Sequence, residues 1–138
     1  MVSSMILVDT GVIAAFYNSR DEQHSRSLVL LNNLRQGKYG TGILTDYVLD
    51  ETVTLLYVRS KNADIALQAG EVIIIEKLGK FLPMTLDLIK KTWNKYQKLI
   101  SKGLSFTDCS LLAVAEYLEC NDILSFAKEF DGLINRVF

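Results

Sequence analysis

Four apolar residues, Met5-Ile6-Leu7-Val8, run straight into Asp9-Thr10-Gly11. A short apolar run that stops on the start of a helix reads as a central strand buried in a sheet. Asp9 then stands at the strand's carboxyl end, where open α/β sheets form their ligand crevices. A carboxylate in such a place needs hydrogen bonds, a cation or a proton. What the chain can do turns on whether other carboxylates converge on it.

The rest of the chain alternates in the same way. Ile6–Val8 reads as the first strand and Thr10–Tyr17 as a short helix. After the polar break Asn18-Ser19-Arg20-Asp21 comes a helix over His24–Gln36, with Leu28, Leu31 and Leu34 at helical spacing and Gly37 as its stop. Gly42–Thr45 reads as strand two, Asp46–Ser60 and Ala63–Lys77 as apolar helices, and Phe81–Met84 as strand three. Leu86–Ile100 and Thr107–Glu119 read as helices, Ile123–Phe126 as strand four and Asn135–Phe138 as a last strand. One strand followed by two helices, three times over, predicts an α/β domain with a mainly parallel sheet of four to five strands. There is no internal repeat or linker, so one domain is expected over residues 1–138.

At 138 residues the chain has room for a hydrophobic core, and its 49% apolar content argues against disorder. The formal charge of −1 excludes a polyanion binder that works through its overall field. Cys109 and Cys120 read as parts of one helix, roughly 16 Å apart along its axis, too far for a disulfide. The N-terminal apolar run is too short for a membrane span and lacks the basic flank of a signal peptide. A cytoplasmic location is therefore expected. Met5 reads as an alternative start, which would leave Met1 to Ser4 as a loose extension.

Two further acids fall in suggestive places. On the Asp46–Ser60 helix, Glu51 shares its stripe with Tyr47, Val48, Leu55 and Val58, whereas Asp50 points about 100° away toward a polar side. Asp108 follows Ser105-Phe106-Thr107 at a helix start and shares a face with Leu111, Leu112 and Ala115. Each acid has a structural alternative. Glu51 could snorkel outward, Asp108 completes a Ser-x-x-Asp capping box, and Asp9 suits an N-cap. Taken together, the three suit one edge of a parallel sheet. Two carboxylates about 4 Å apart repel by roughly 4 kcal/mol at an effective dielectric near 20, so a triple cluster requires a proton or a cation. Oxygen-only ligation selects Mg²⁺ or Mn²⁺, and His24 with two cysteines offers no zinc-finger set.

In this order, Leu7-Val8-Asp9-Thr10, Thr45 with Glu51, Ser105-Phe106-Thr107-Asp108 and Ile123-Leu124-Ser125-Phe126, the chain resembles the PIN domain, the metal-dependent ribonuclease fold of VapC-type toxins. The resemblance spans essentially the whole chain. It implies a three-layer α/β/α fold, with Asp9, Glu51 and Asp108 as catalytic metal ligands and Thr10 and Thr107 as supporting hydroxyls, a role compatible with helix capping. Asp21-Glu22-Gln23-His24 resembles the acidic-His segment of many members, with a structural role favoured for His24. The family often carries a fourth acid just after its last buried strand, where this chain has Ala127. Asp131, otherwise a surface turn residue, and Glu129 are the replacements at hand. That departure puts a second metal and full activity in question.

The chemistry implied is hydrolysis of RNA phosphodiesters by a water that a carboxylate-held Mg²⁺ acidifies, with phosphate charge neutralised by the ion. Implied partners are RNA, a second copy of the chain and a small antitoxin protein. Lys91, Lys95, Lys98 and Lys102 form one stripe of the Leu86–Ile100 helix and its extension, a candidate RNA contact or simply a solvated face. Ile89, Trp93, Tyr96 and Ile100 form the opposite, apolar stripe. The competing reading is a degenerate PIN domain that binds RNA or protein without cleavage, motivated by Ala127. A phosphoaspartyl enzyme of haloacid-dehalogenase type is disfavoured, because its second Asp would fall at Gly11.

Overall fold

The computed structural model describes residues 4–138, so the expected extension at Met1 to Ser4 falls, apart from Ser4, outside the described residues. In chain order the elements are β1 (Met5–Val8), α1 (Thr10–Tyr17), α2 (His24–Arg35), β2 (Thr41–Thr45), α3 (Asp46–Ser60) and α4 (Ala63–Ile74). They continue with β3 (Lys80–Leu82), α5 (Leu86–Leu99), α6 (Phe106–Leu118), β4 (Asp122–Leu124) and β5 (Asn135–Val137). Single 3₁₀ turns follow α5 at Ile100–Lys102 and β4 at Lys128–Phe130.

The five strands form one sheet in the order β3-β2-β1-β4-β5, and every pairing is parallel. The fold is a three-layer α/β/α sandwich. From β1 the chain moves outward to β2 and β3, then returns to the other side of β1 for β4 and β5. The connections thus reverse direction between β1 and β4, which pair through Leu7 with Ile123 and Val8 with Leu124. That reversal leaves a crevice at the strands' carboxyl ends, and Asp9 is the first residue beyond β1.

Covered on both faces, β1 buries Ile6, Leu7 and Val8 almost completely. Leu44, Ile123 and Leu124 continue this core across the sheet, with Ile13, Leu30, Leu31, Leu111 and Phe130 packed over it. α1 packs on α2, α3 and α4, whereas α5 and α6 pack chiefly on each other. β3 ends two residues earlier than its apolar run suggests, since Pro83 has no N–H for the ladder and the Met84 N–H turns to Asp46 Oδ1 at 3.0 Å. Its entry requires glycine: a Cβ on Gly79 would stand 2.1 Å from the Gly42 carbonyl oxygen.

Several helices are rotated from the faces that spacing suggests. α2 buries Ser27, Leu30, Leu31 and Leu34 and leaves Leu28 outward. α3 buries Val48, Thr52 and Leu56, so Val58 is exposed and Glu51 lies at the rim rather than inside an apolar stripe. α4 stops at Ile74, with the Ile75 N–H closing on Glu71 and Ile73, and Ile74 and Ile75 are exposed. The largest departure is α5. Its buried residues are Leu88 and Thr92, and the Thr92 hydroxyl donates to the Leu88 carbonyl at 2.7 Å, which lets a polar residue take the inner position. The expected apolar stripe is therefore only partly inside: Ile89 is half-buried and Tyr96 packs against the core, whereas Trp93 and Ile100 are exposed.

Cys109 and Cys120 are both buried free thiols, and Cys120 lies just past the α6 C-cap, with its Sγ directed at the Met5 and Asp122 carbonyls. Among the described residues no helix is long and apolar enough to cross a membrane.

Candidate active site

Asp9 is 6% exposed and capped into place. Its Oδ1 accepts the Thr10 N–H at 2.9 Å, as N-cap of α1, and its Oδ2 accepts the Ser125 hydroxyl at 2.6 Å. Its own N–H reaches across the switch point to the Leu124 carbonyl at 3.0 Å. Ser125 is fully buried and held from three sides. Its Oγ accepts the Ala127 N–H at 3.0 Å, its N–H donates to Val137 at 3.1 Å, and its carbonyl accepts from Arg136 at 3.3 Å. Residue reading missed this serine as a site member. The available signal was a small hydroxyl at the end of the strand beside β1.

Burial pushes the Asp9 carboxyl from 3.8 up to about 7, against the hydrogen bonds from Ser125 and Thr10. The charges of Asp108 and Glu51 add to that rise, so both acids stand near enough for Asp9 to feel them. Asp108 sits in the first turn of α6, where the capping box is fully formed. Its N–H donates to Ser105 Oγ at 3.0 Å and its Oδ2 accepts the Ser105 N–H at 2.9 Å. Burial pushes its carboxyl upward too, with a contribution from Glu129. Among the described residues, Asp108 Oδ1 accepts no hydrogen bond, and Glu51 is half-buried with neither hydrogen bond nor ion pair. Asp50 is exposed, as its helical position requires.

The other singled-out residues divide clearly. Thr10 is buried, and its Oγ1 finds no partner beside Asp9. Thr107 is half-buried one residue before Asp108. Asp131 is held elsewhere: Arg136 donates to both of its oxygens, at 2.7 and 3.1 Å, and holds its carboxyl below the usual range. Glu129 is exposed, its Cγ 3.9 Å from where a Cβ on Gly103 would stand, and its charge adds to the rise at Asp108. His24 ties helices together, its Nδ1 bonded to the Ala15 carbonyl at 2.7 Å. In the lysine stripe, Lys91 pairs with Asp87 at 3.5 Å and Lys95 with Glu116, because α5 turns Lys95 toward α6. Lys98 and Lys102 are exposed and make no ion pair among the described residues.

The donor set suits a hard divalent ion. It is made of oxygens alone, its buried carboxylate has no cationic partner among the described residues, and an unsatisfied hydroxyl adjoins it. As the side chains stand, no three His, Cys, Asp or Glu among the described residues are close enough to grip an ion.

A three-layer α/β/α sandwich with an acidic switch point defines the class, and the PIN domain model matches residues 6–133. The chain belongs to the PIN domain family, among VapC-type members. It is 30% identical over 128 residues to a VapC ribonuclease of Archaeoglobus fulgidus, covering 90% of this chain and 78% of that protein. It also resembles the crystal structure of Mycobacterium tuberculosis VapC20, a sarcin–ricin loop cleaving toxin. That similarity has a TM-score of 0.78 at 26% identity, covering 91% of this chain and 92% of the other.

Proposed function

We propose that this protein is an endoribonuclease that depends on Mg²⁺ or Mn²⁺ and serves as the toxin of a toxin–antitoxin pair. The observation that carries the reading is Asp9: a buried carboxylate at the switch point, without a cationic partner among the described residues, under the charges of Asp108 and Glu51. Asp9, Asp108 and Glu51 would hold the ion. When bound, it would acidify a water for attack on phosphorus and neutralise charge on the phosphate oxygens. Ser125 orients Asp9 and favours its ionised form, and the capping box holds Asp108 by one oxygen while leaving Oδ1 unused. Thr10 and Thr107 supply hydroxyls beside the cluster. Glu129 takes the place of a fourth acid that Ala127 leaves empty.

Kinship with VapC proteins supports an antitoxin partner, a homodimer and a cytoplasmic location. Exposed Val58, Leu67 and Ile74 on α3 and α4 offer an apolar surface for a protein partner. The test is cleavage of an RNA panel with Mg²⁺ and with chelator. Cleavage should vanish with chelator and in Asp9→Asn and Asp108→Asn. Cleavage that survives either treatment would falsify the proposal. Ala127 favours a second reading, a domain that binds RNA without cutting, and calorimetric metal binding with no cleavage across the panel would select it.

A further inference from the structure

The apolar stripe of α5 carries aromatic side chains from the edge of the core out to the surface. Tyr47 on α3 meets Phe106 at the start of α6 with ring centroids 6.0 Å apart, Phe106 meets Tyr96 at 5.6 Å, and Tyr96 meets Trp93 at 6.1 Å. Tyr47 lies one helical turn before Glu51, and Phe106 lies two residues before Asp108. The aromatic series therefore runs from the two helices that carry Glu51 and Asp108 to the surface at Trp93, which is 53% exposed. There Ile89, Lys90, Trp93, Asn94 and Phe106 line an open concavity of about 490 Å³.

We propose that this concavity seats an unpaired nucleobase of the RNA, stacked on Trp93 and Phe106, with Lys90 on the adjoining phosphate and Asn94 at the base edge. The proposal rests on the nuclease reading above and adds a substrate subsite to it. Charge complementarity selects RNA as the occupant. An acidic crevice repels phosphates unless cations rim it, and Lys90 is exposed with no ion pair among the described residues, unlike Lys91 and Lys95. Aromatic faces beside a cation are the usual platform for single-stranded bases.

Trp93 is the chain's one tryptophan, so its fluorescence reports this site alone. In chelator, full-length Asp9→Asn protein is titrated with an unstructured single-stranded RNA and with an abasic strand of equal length. The intact RNA should quench Trp93 saturably and the abasic strand should not. By anisotropy of a labelled strand, Trp93→Ala should weaken binding roughly 5- to 100-fold, the range for loss of one stacked base, whereas Trp93→Phe should retain most of it. Lys90→Ala should lower the salt slope by about one phosphate. Equal quenching by both strands, or unchanged affinity in Trp93→Ala, would overturn the seat. So would emission that shifts with protein concentration alone, which would assign the face to self-association. The two readings fail separately. Base-dependent quenching in a protein that never cleaves removes the nuclease and keeps the seat, and cleavage indifferent to Trp93→Ala does the reverse.

Discussion

Ser125 controls Asp9 more directly than any other residue. It spends its proton on Oδ2 at 2.6 Å in a buried, charge-assisted hydrogen bond. Ser125→Ala should cost on the order of 1–3 kcal/mol in urea denaturation at pH 8, where Asp9 is ionised. It also removes a bond that lowers the Asp9 pKa, so the acidic limb of the cleavage–pH profile should move to higher pH. An unshifted profile would mean that the serine serves packing only. The fourth-acid question is settled by a pair of variants. Glu129→Gln should reduce cleavage roughly 10-fold or more, as loss of a supporting group at a metal site does. Asp131→Asn should leave the rate at the wild-type level, because Asp131 is committed to Arg136. The reverse pattern would return the role to Asp131.

At the scale of elements, the candidate site is built from helix starts. α1, α3 and α6 begin at Thr10, Asp46 and Phe106, each capped by the residue before it, Asp9, Thr45 and Ser105. The caps that set these starts also aim the acids, so capping and site geometry are coupled here. Ser105→Ala should lower stability by about 1 kcal/mol, the usual worth of an N-cap, readable as a shift in the urea midpoint at unchanged slope. Because its backbone N–H still reaches Asp108, weak cleavage should persist; full loss would mean that the side chain does more than cap. The bounds of α1 and α3 were legible to the residue from the apolar runs before them, and in the structure Asp9 and Thr45 cap the two helices. The facing of α5 was not. Its stripes 88–92–95–99 and 89–93–96–100 are both plausible inner faces by spacing. Packing against α6 and the internally satisfied Thr92 hydroxyl decide between them.

Over the whole molecule, burying Asp9 and Asp108 without a cation makes the metal-free fold sensitive to pH. Between pH 3.8 and about 7 the unfolded chain ionises Asp9 while the folded chain keeps its proton. Stability therefore falls as pH rises through that window and levels off above it. At about 1.4 kcal/mol per unit, the Asp9 contribution is on the order of 4 kcal/mol. Thermal melts in chelator should show a higher Tm at pH 5 than at pH 8, with the slope largely abolished in Asp9→Asn. Mg²⁺ should raise the Tm most at pH 8, where no proton competes for the carboxylates. A flat Tm from pH 5 to 8 would contradict the burial of this charge. Apolar runs, caps and breakers act over a few residues, so the element order was legible in the chain alone, and the three acids could be singled out from it as candidates. The partner of Asp9 at Ser125, the diversion of Asp131 to Arg136, the influence of Glu129 on Asp108 and the exposure of Trp93 were not. Each depends on which strands and helices become neighbours across the sheet, and that is decided by burial summed over the whole core rather than by any local run of residues.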